Sequence, residues 1–269
     1  MGKFNGVLVA SDFDGTLTDI NGQIPDRNTE AIKYFIANGG SFTVSTGRTK
    51  AGFHNYRDDI INAPVLLGNG AMAYDYTEEK TVFVNGIKKE NCTVLKKILS
   101  NKEPLCMECY GADGKSYVFN INDESRSHFQ GLRINDYIEI TRFDDSFFPF
   151  VKVMISAGKR TFEIQDYLRS INMNTMKFIP CTGSYIEILS EKAGKGSALL
   201  QLAEYLGISP TEAYAVGDGS NDVDMLETAA LSFAPCNGSQ PARDAADIIT
   251  GSNNNGCIAD VIEFLDKKY

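Results

Sequence analysis

A chain of 269 residues, 43% of them hydrophobic, can bury a sizeable core and suits one large domain or two smaller ones. Its net charge of −9 and pI near 4.8 argue against a nucleic-acid or anionic-membrane surface. No run approaches the ~18 apolar residues of a membrane span. The opening residues lead straight into an apolar strand without a signal-peptide pattern, so the sequence reads as soluble and cytoplasmic.

The first predicted strand is the apolar, β-branched run Val7–Ala10, and at its carboxyl end stand Asp12 and Asp14, then Gly15 and Thr16. Two acids buried side by side are costly unless something pairs with them, such as a divalent cation. An oxygen-only cluster beside a glycine suits Mg²⁺. An Asx-rich turn that merely ends the strand is the plainer alternative. Asp26–Asn38 is a predicted helix with Ala31, Ile32, Phe35 and Ile36 on one stripe and Gly39 as its stop. A second strand from Ser41 ends in Thr46, Gly47 and Arg48, and a third, from Pro64, runs into Asn69-Gly70-Ala71. This alternation of strand and helix predicts a parallel sheet, whose ligands bind beyond the strands' carboxyl ends.

Near residue 84 the rhythm changes. Met72–Val84 is a predicted hairpin and Lys88–Ser100 a helix. β-rich pieces follow at Tyr117–Ile121, Tyr137–Phe143, Phe150–Ser156 and Lys177–Leu189, with a helix over Arg160–Ser170. Short strands with only two helices predict an antiparallel sheet with helices on one face, inserted at hinges near Val84–Lys88 and Leu189–Lys192. The expected domains are a core of residues 1–85 plus 190–269 and an α+β insert of residues 86–189. Six cysteines fit a reducing compartment. Cys106-Met-Glu-Cys109 lacks the extra ligands of a zinc site, and the thiols are expected to stay reduced.

The parallel rhythm then returns. Gly194–Leu206 is a predicted helix with Leu199, Leu202 and Leu206 on its stripe. From Ala213 a strand ends in Asp218, followed by a tight turn and a helix opening at Asn221-Asp222; Leu231–Pro235 is a further strand and Gly256–Asp266 a terminal helix. Several strand ends thus collect acids, a hydroxyl, glycine N–H groups and a lysine, Lys195, which opens a helix. That equipment suits phosphoryl transfer, where positioning and charge stabilisation do most of the catalysis. Lys195-Gly196-Ser197 lacks the first glycine of a nucleotide P-loop.

Four stretches in order, Asp12-Phe-Asp-Gly-Thr16, Ser45-Thr-Gly-Arg48, Lys195-Gly196 and Gly217-Asp-Gly-Ser-Asn-Asp222 onward to Leu226, resemble the haloacid dehalogenase superfamily, in particular its Cof-like sugar phosphatases. Asn69-Gly70-Ala71 matches a feature of that subgroup. The resemblance implies an α/β fold, a Rossmann-like parallel-sheet core with an inserted α+β cap, and a Mg²⁺-dependent phosphatase of small phosphorylated metabolites. It casts Asp12 as nucleophile, Asp14 as general acid and then base, and Thr46 and Lys195 as holders of phosphoryl oxygens. It assigns the cation to Asp12, the Asp14 carbonyl and Asp218, with Asp222 reaching it directly or through water, and makes Gly47, Asn69 and Asn221 phosphate-side contacts.

Lys192 is the nearest rival to Lys195, but it does not precede the helix-opening glycine. Asp224 reads as a dipole partner of its own helix, and Arg48 as a phosphate ligand or a structural ion pair. The alternatives are a phosphomutase of the same superfamily and a non-catalytic phospho-ligand module, the latter opposed by the presence of both Asp12 and Asp14. A monomer or weak homodimer is expected. Tyr110, His128, Arg133 and Tyr185 are specificity candidates in the insert by residue type alone.

Overall fold

The structure, a computed structural model, describes residues 2–100, 105–143, 145–181 and 185–269. It divides into two compact units: Met1–Gly47, Asn55–Phe83 and Gly194–Tyr269 form the first, and Arg48–His54 with Val84–Ala193 the second.

In the first unit β1 (Leu8–Ser11) leads to α1 (Asp26–Ala37), β2 (Ser41–Val44), β3 (Val65–Leu67), β4 (Met72–Asp75) and β5 (Lys80–Val84), the last three forming a small separate sheet. The second unit carries α2 (Cys92–Leu99), β6 (Cys106–Gly111), β7 (Ser116–Phe119), α3 (Asp123–Gly131) and β8 (Tyr137–Glu139). It continues with β9 (Phe150–Ser156), α4 (Thr161–Ser170), β10 (Met176–Pro180) and β11 (Tyr185–Ser190). The chain then returns through α5 (Lys195–Leu206), β12 (Ala213–Val216), α6 (Val223–Thr228), β13 (Leu231–Pro235), α7 (Gln240–Ala245), β14 (Ile248–Thr250) and α8 (Cys257–Lys268).

The main sheet of the first unit runs β14-β13-β12-β1-β2, parallel throughout. All four residues of β1 are buried because both faces of the strand are covered. Leu8 and Ala10 share a core with Leu199 and Leu202 of α5 and Met225 and Leu226 of α6. Alternation turns Val9 the other way. α1 and α8 lie against each other, tied by Arg27 to Asp260 at 2.7 Å. The strand ending at Asp12 and the strand ending in Asp218 are therefore neighbours, and β1 and β12 bring Asp12 and Asp218 to the same end of the sheet.

The second unit is a six-stranded sheet, β10-β11-β9-β6-β7-β8. The expectation of a purely antiparallel sheet with helices on one face is corrected here. β7 and β8 pair in parallel, joined by α3, a third helix that the sequence reading lacked. Met107 and Cys109 of β6 pack with Leu95, Ile98, Ile164 and Leu168 of α2 and α4. The alternate residues Cys106, Glu108 and Tyr110 meet Ser125, His128 and Phe129 of α3. Helices thus cover both faces. The Lys177–Leu189 run is the hairpin β10–β11, with residues 182–184 outside the described residues. Arg48–His54 also groups with this unit, contrary to its expected place in the core. A Cβ added to buried Gly52 would meet Ile134 and Leu132 at 3.9 and 4.0 Å, and Phe53 is buried.

Candidate active site

The chain leaves β1 through a wide turn, with Leu17 N donating to Asp12 O and Thr18 N to Phe13 O. Gly15 has φ +86, and a Cβ there would stand 2.8 Å from Asp218 Oδ2. Its lack of a side chain thus serves both the left-handed conformation and the close approach of Asp218. Asp12 N is anchored to Val216 O at 2.8 Å, and Thr16 Oγ1 donates to Asp218 Oδ1 at 2.6 Å, so the turns after β1 and β12 are laced together.

Lys195, buried at the first turn of α5, donates to Asp12 Oδ1 at 2.5 Å and to Asp222 Oδ1 at 2.5 Å. Asp222, also buried, accepts the Asp218 and Gly219 N–H groups on its other oxygen, at 3.0 and 2.8 Å. Both of its oxygens are therefore committed to holding a loop and a lysine. Carboxylate oxygens of Asp12, Asp218 and Asp222 lie within 4.8 Å of one another. Burial pushes the Asp12 carboxyl up to about 7; Lys195 pulls it down, while Asp222 and Asp218 raise it. Burial likewise raises Asp218, against the Thr16 hydrogen bond. Burial would lower the Lys195 ammonium, but Asp12 and Asp222 outweigh that and hold it above the usual lysine range.

When all are ionised, three carboxylates against one ammonium leave an excess of two negative charges, which burial disfavours, and the donors are all oxygen. These residues fit a hard divalent cation. Asp14, exposed, lines with Gly15, Asp218 and Asn237 a cavity of ≈ 380 Å³ beside the cluster.

The second group of expected residues converges nearby. Thr46 is buried after β2, its N–H held by Leu66 O, and its carbonyl accepts from Asn69 N. Gly68, Asn69 and Gly70 all have positive φ, a turn that glycine and asparagine tolerate. A Cβ on Gly47 would stand 3.0 Å from Asn69 Oδ1, and Asn221 Nδ2 donates to that oxygen at 3.4 Å. Lys192, the rival lysine, is exposed.

Of the insert candidates, Tyr110 and His128 converge on a carboxylate the sequence reading missed. Buried Glu108 accepts from Tyr110 Oη at 2.7 Å on the oxygen that also meets His128 Nδ1 at 2.7 Å. The His128 ring lies 4.7 Å from that of Tyr185, whereas Arg133 is exposed. The signal was the alternation along β6, which puts Glu108 and Tyr110 on one face.

The family described as haloacid dehalogenase-like hydrolase matches residues 9–262. A Bacillus subtilis protein named 5-amino-6-(5-phospho-D-ribitylamino)uracil phosphatase is 26% identical, over 96% of this chain and 97% of its own. A haloacid dehalogenase-like hydrolase from Bacteroides thetaiotaomicron superposes with a TM-score of 0.81 at 22% identity, over 96% of this chain and 99% of its own. A solved sugar phosphatase of subclass IIB also gives 0.81, at 20% identity over 97% and 99%.

Proposed function

The chain belongs to the haloacid dehalogenase-like hydrolase family, and we propose that it is a Mg²⁺-dependent phosphatase of small phosphorylated metabolites, sugar phosphates foremost, acting through an aspartyl-phosphate. The observation that carries this reading is buried Lys195 bridging Asp12 and Asp222 at 2.5 Å each, with Asp218 alongside. The phosphatase name of the Bacillus subtilis relative and the sugar phosphatase among the fold neighbours support the substrate class.

In this reading an Asp12 oxygen attacks phosphorus as the ester P–O bond breaks, and Asp14 protonates the departing alkoxide. Asp14, now ionised, takes a proton from water. That water attacks phosphorus, breaks the acyl-phosphate P–O bond and frees Asp12 and inorganic phosphate. Lys195 and Thr46 hold phosphoryl oxygens, with Gly47, Asn69 and Asn221 on the phosphate side. Mg²⁺ would be held by Asp12, the Asp14 carbonyl and Asp218, and when bound it neutralises charge on the phosphoryl group. Asp222, with both oxygens engaged, serves to place Lys195 and the 218–219 loop and reaches the cation through water. The second unit acts as the cap that selects the leaving group.

The test is phosphate release from a panel of phosphorylated metabolites, with and without Mg²⁺. Turnover is expected only with the cation and is abolished by EDTA. Full turnover in metal-free buffer, or release from no ester in the panel, overturns the reading.

A further inference from the structure

We propose that Asp224 is a positioning residue for Lys195, an assignment that rests on the catalytic reading above. In the structure its carboxylate serves a different helix from its own. α5 starts after Gly194, which has no side chain with which to cap the first amides. Asp224, carried on α6, supplies the acceptor: its Oδ2 takes the Gly196 N–H at 3.1 Å. A carboxylate at that end also suits the helix dipole.

The packing around this bond forms a clamp. A Cβ on Gly196 would stand 2.4 Å from Asp224 O and 2.5 Å from Thr228 Oγ1, so only glycine lets α5 lie against the α6 backbone. On the other side a Cβ on Gly70 would meet Gly194 O at 2.1 Å. Residues 194–196 are thus held between the Gly68–Gly70 turn and α6, with Lys195 at the centre. The buried ammonium has two short contacts to keep, so a displacement of its backbone is passed on to Asp12 and Asp222. Asp224 itself is exposed, and its replacement leaves the core packing intact.

The experiment compares Asp224→Ala and Asp224→Asn with the wild type, using nitrophenyl phosphate turnover and amide hydrogen exchange over residues 194–198. Asp224→Ala should lower kcat/KM by between about fivefold and a hundredfold and speed exchange of that segment. Asp224→Asn, whose carbonyl can accept the same N–H, should restore most of both. Ser209→Ala, which removes a cap hydrogen bond to Thr211 in a turn bearing no site residue, should alter neither readout. Wild-type kinetics and exchange in Asp224→Ala overturn the proposal, as does an equal loss in the Ala and Asn variants. If the wild type turns over no phosphate ester, the catalytic reading fails, and the exchange data alone decide the clamp.

Discussion

Thr16 and Asp218 are hydrogen-bonded at 2.6 Å across 202 positions of the chain, hydroxyl to carboxylate. The bond orients one of the two side chains assigned to the cation and opposes the effect of burial on its carboxyl. Thr16→Val keeps the shape of a fully buried side chain but removes the donor. The Mg²⁺ concentration for half-maximal activity should rise by about 10–100-fold, as for other outer ligands of metal sites. A Mg²⁺ titration of turnover checks this, and an unchanged midpoint would show that Asp218 is oriented by other contacts.

The two cysteines of the Cys-x-x-Cys stretch should never pair. Neighbours three apart on β6 point to opposite faces, Cys106 toward Ser125 at 2.8 Å and Cys109 into the apolar core. Burial raises both thiols, so neither offers a reactive thiolate at neutral pH. Native protein treated with a thiol reagent should label Cys236, the exposed thiol, first. Peptide mapping after mild oxidation should find no bond between Cys106 and Cys109.

The first unit was legible because its candidate site residues follow buried strands directly. Val7–Ala10 is continuous and apolar, and Asp12 comes at its end. The fifth strand, β14, escaped notice because Ile248–Thr250 is three residues long and only partly buried. In the second unit α3 reads Asp-Glu-Ser-Arg-Ser-His-Phe-Gln-Gly, with Ser125 and Phe129 as its buried residues. It has no apolar stripe to betray it. β6 hid for a related reason: buried on both faces, it holds Glu108 inside, and that burial depends on Tyr110 and His128 rather than on a local pattern. The grouping of Arg48–His54 with the second unit is equally non-local, since Gly52 lies next to Leu132 and Ile134, about 80 positions on.

Glu108 should make the second unit sensitive to a single oxygen. Tyr110→Phe removes one of its two described donors while the carboxylate stays buried. A loss of about 1–3 kcal/mol is expected from the poorer satisfaction of a buried carboxyl acceptor. Urea unfolding followed by circular dichroism measures it. Stability within about 0.5 kcal/mol of wild type would mean that His128 alone suffices.

The division of labour between the two acids can be separated in time. If Asp14 protonates the leaving group, Asp14→Asn should slow alkyl phosphates most, since an alkoxide needs that proton to depart. Nitrophenolate leaves largely unaided, so transfer from its ester to Asp12 should survive in the variant. The second step needs a base to deprotonate water whatever the first substrate was, and a neutral side-chain amide in place of the carboxylate cannot supply one. The substitution spares the backbone carbonyl assigned to Mg²⁺, and Asp14 is exposed, so folding should be unaffected. Rapid mixing should therefore show a burst of nitrophenol followed by a stall, with a phosphoryl adduct on Asp12 in the intact-protein mass. Asp12→Asn should give neither burst nor turnover. A linear time course without an adduct in Asp14→Asn would mean that the base for water is some other group, and that Asp14 does not serve both steps.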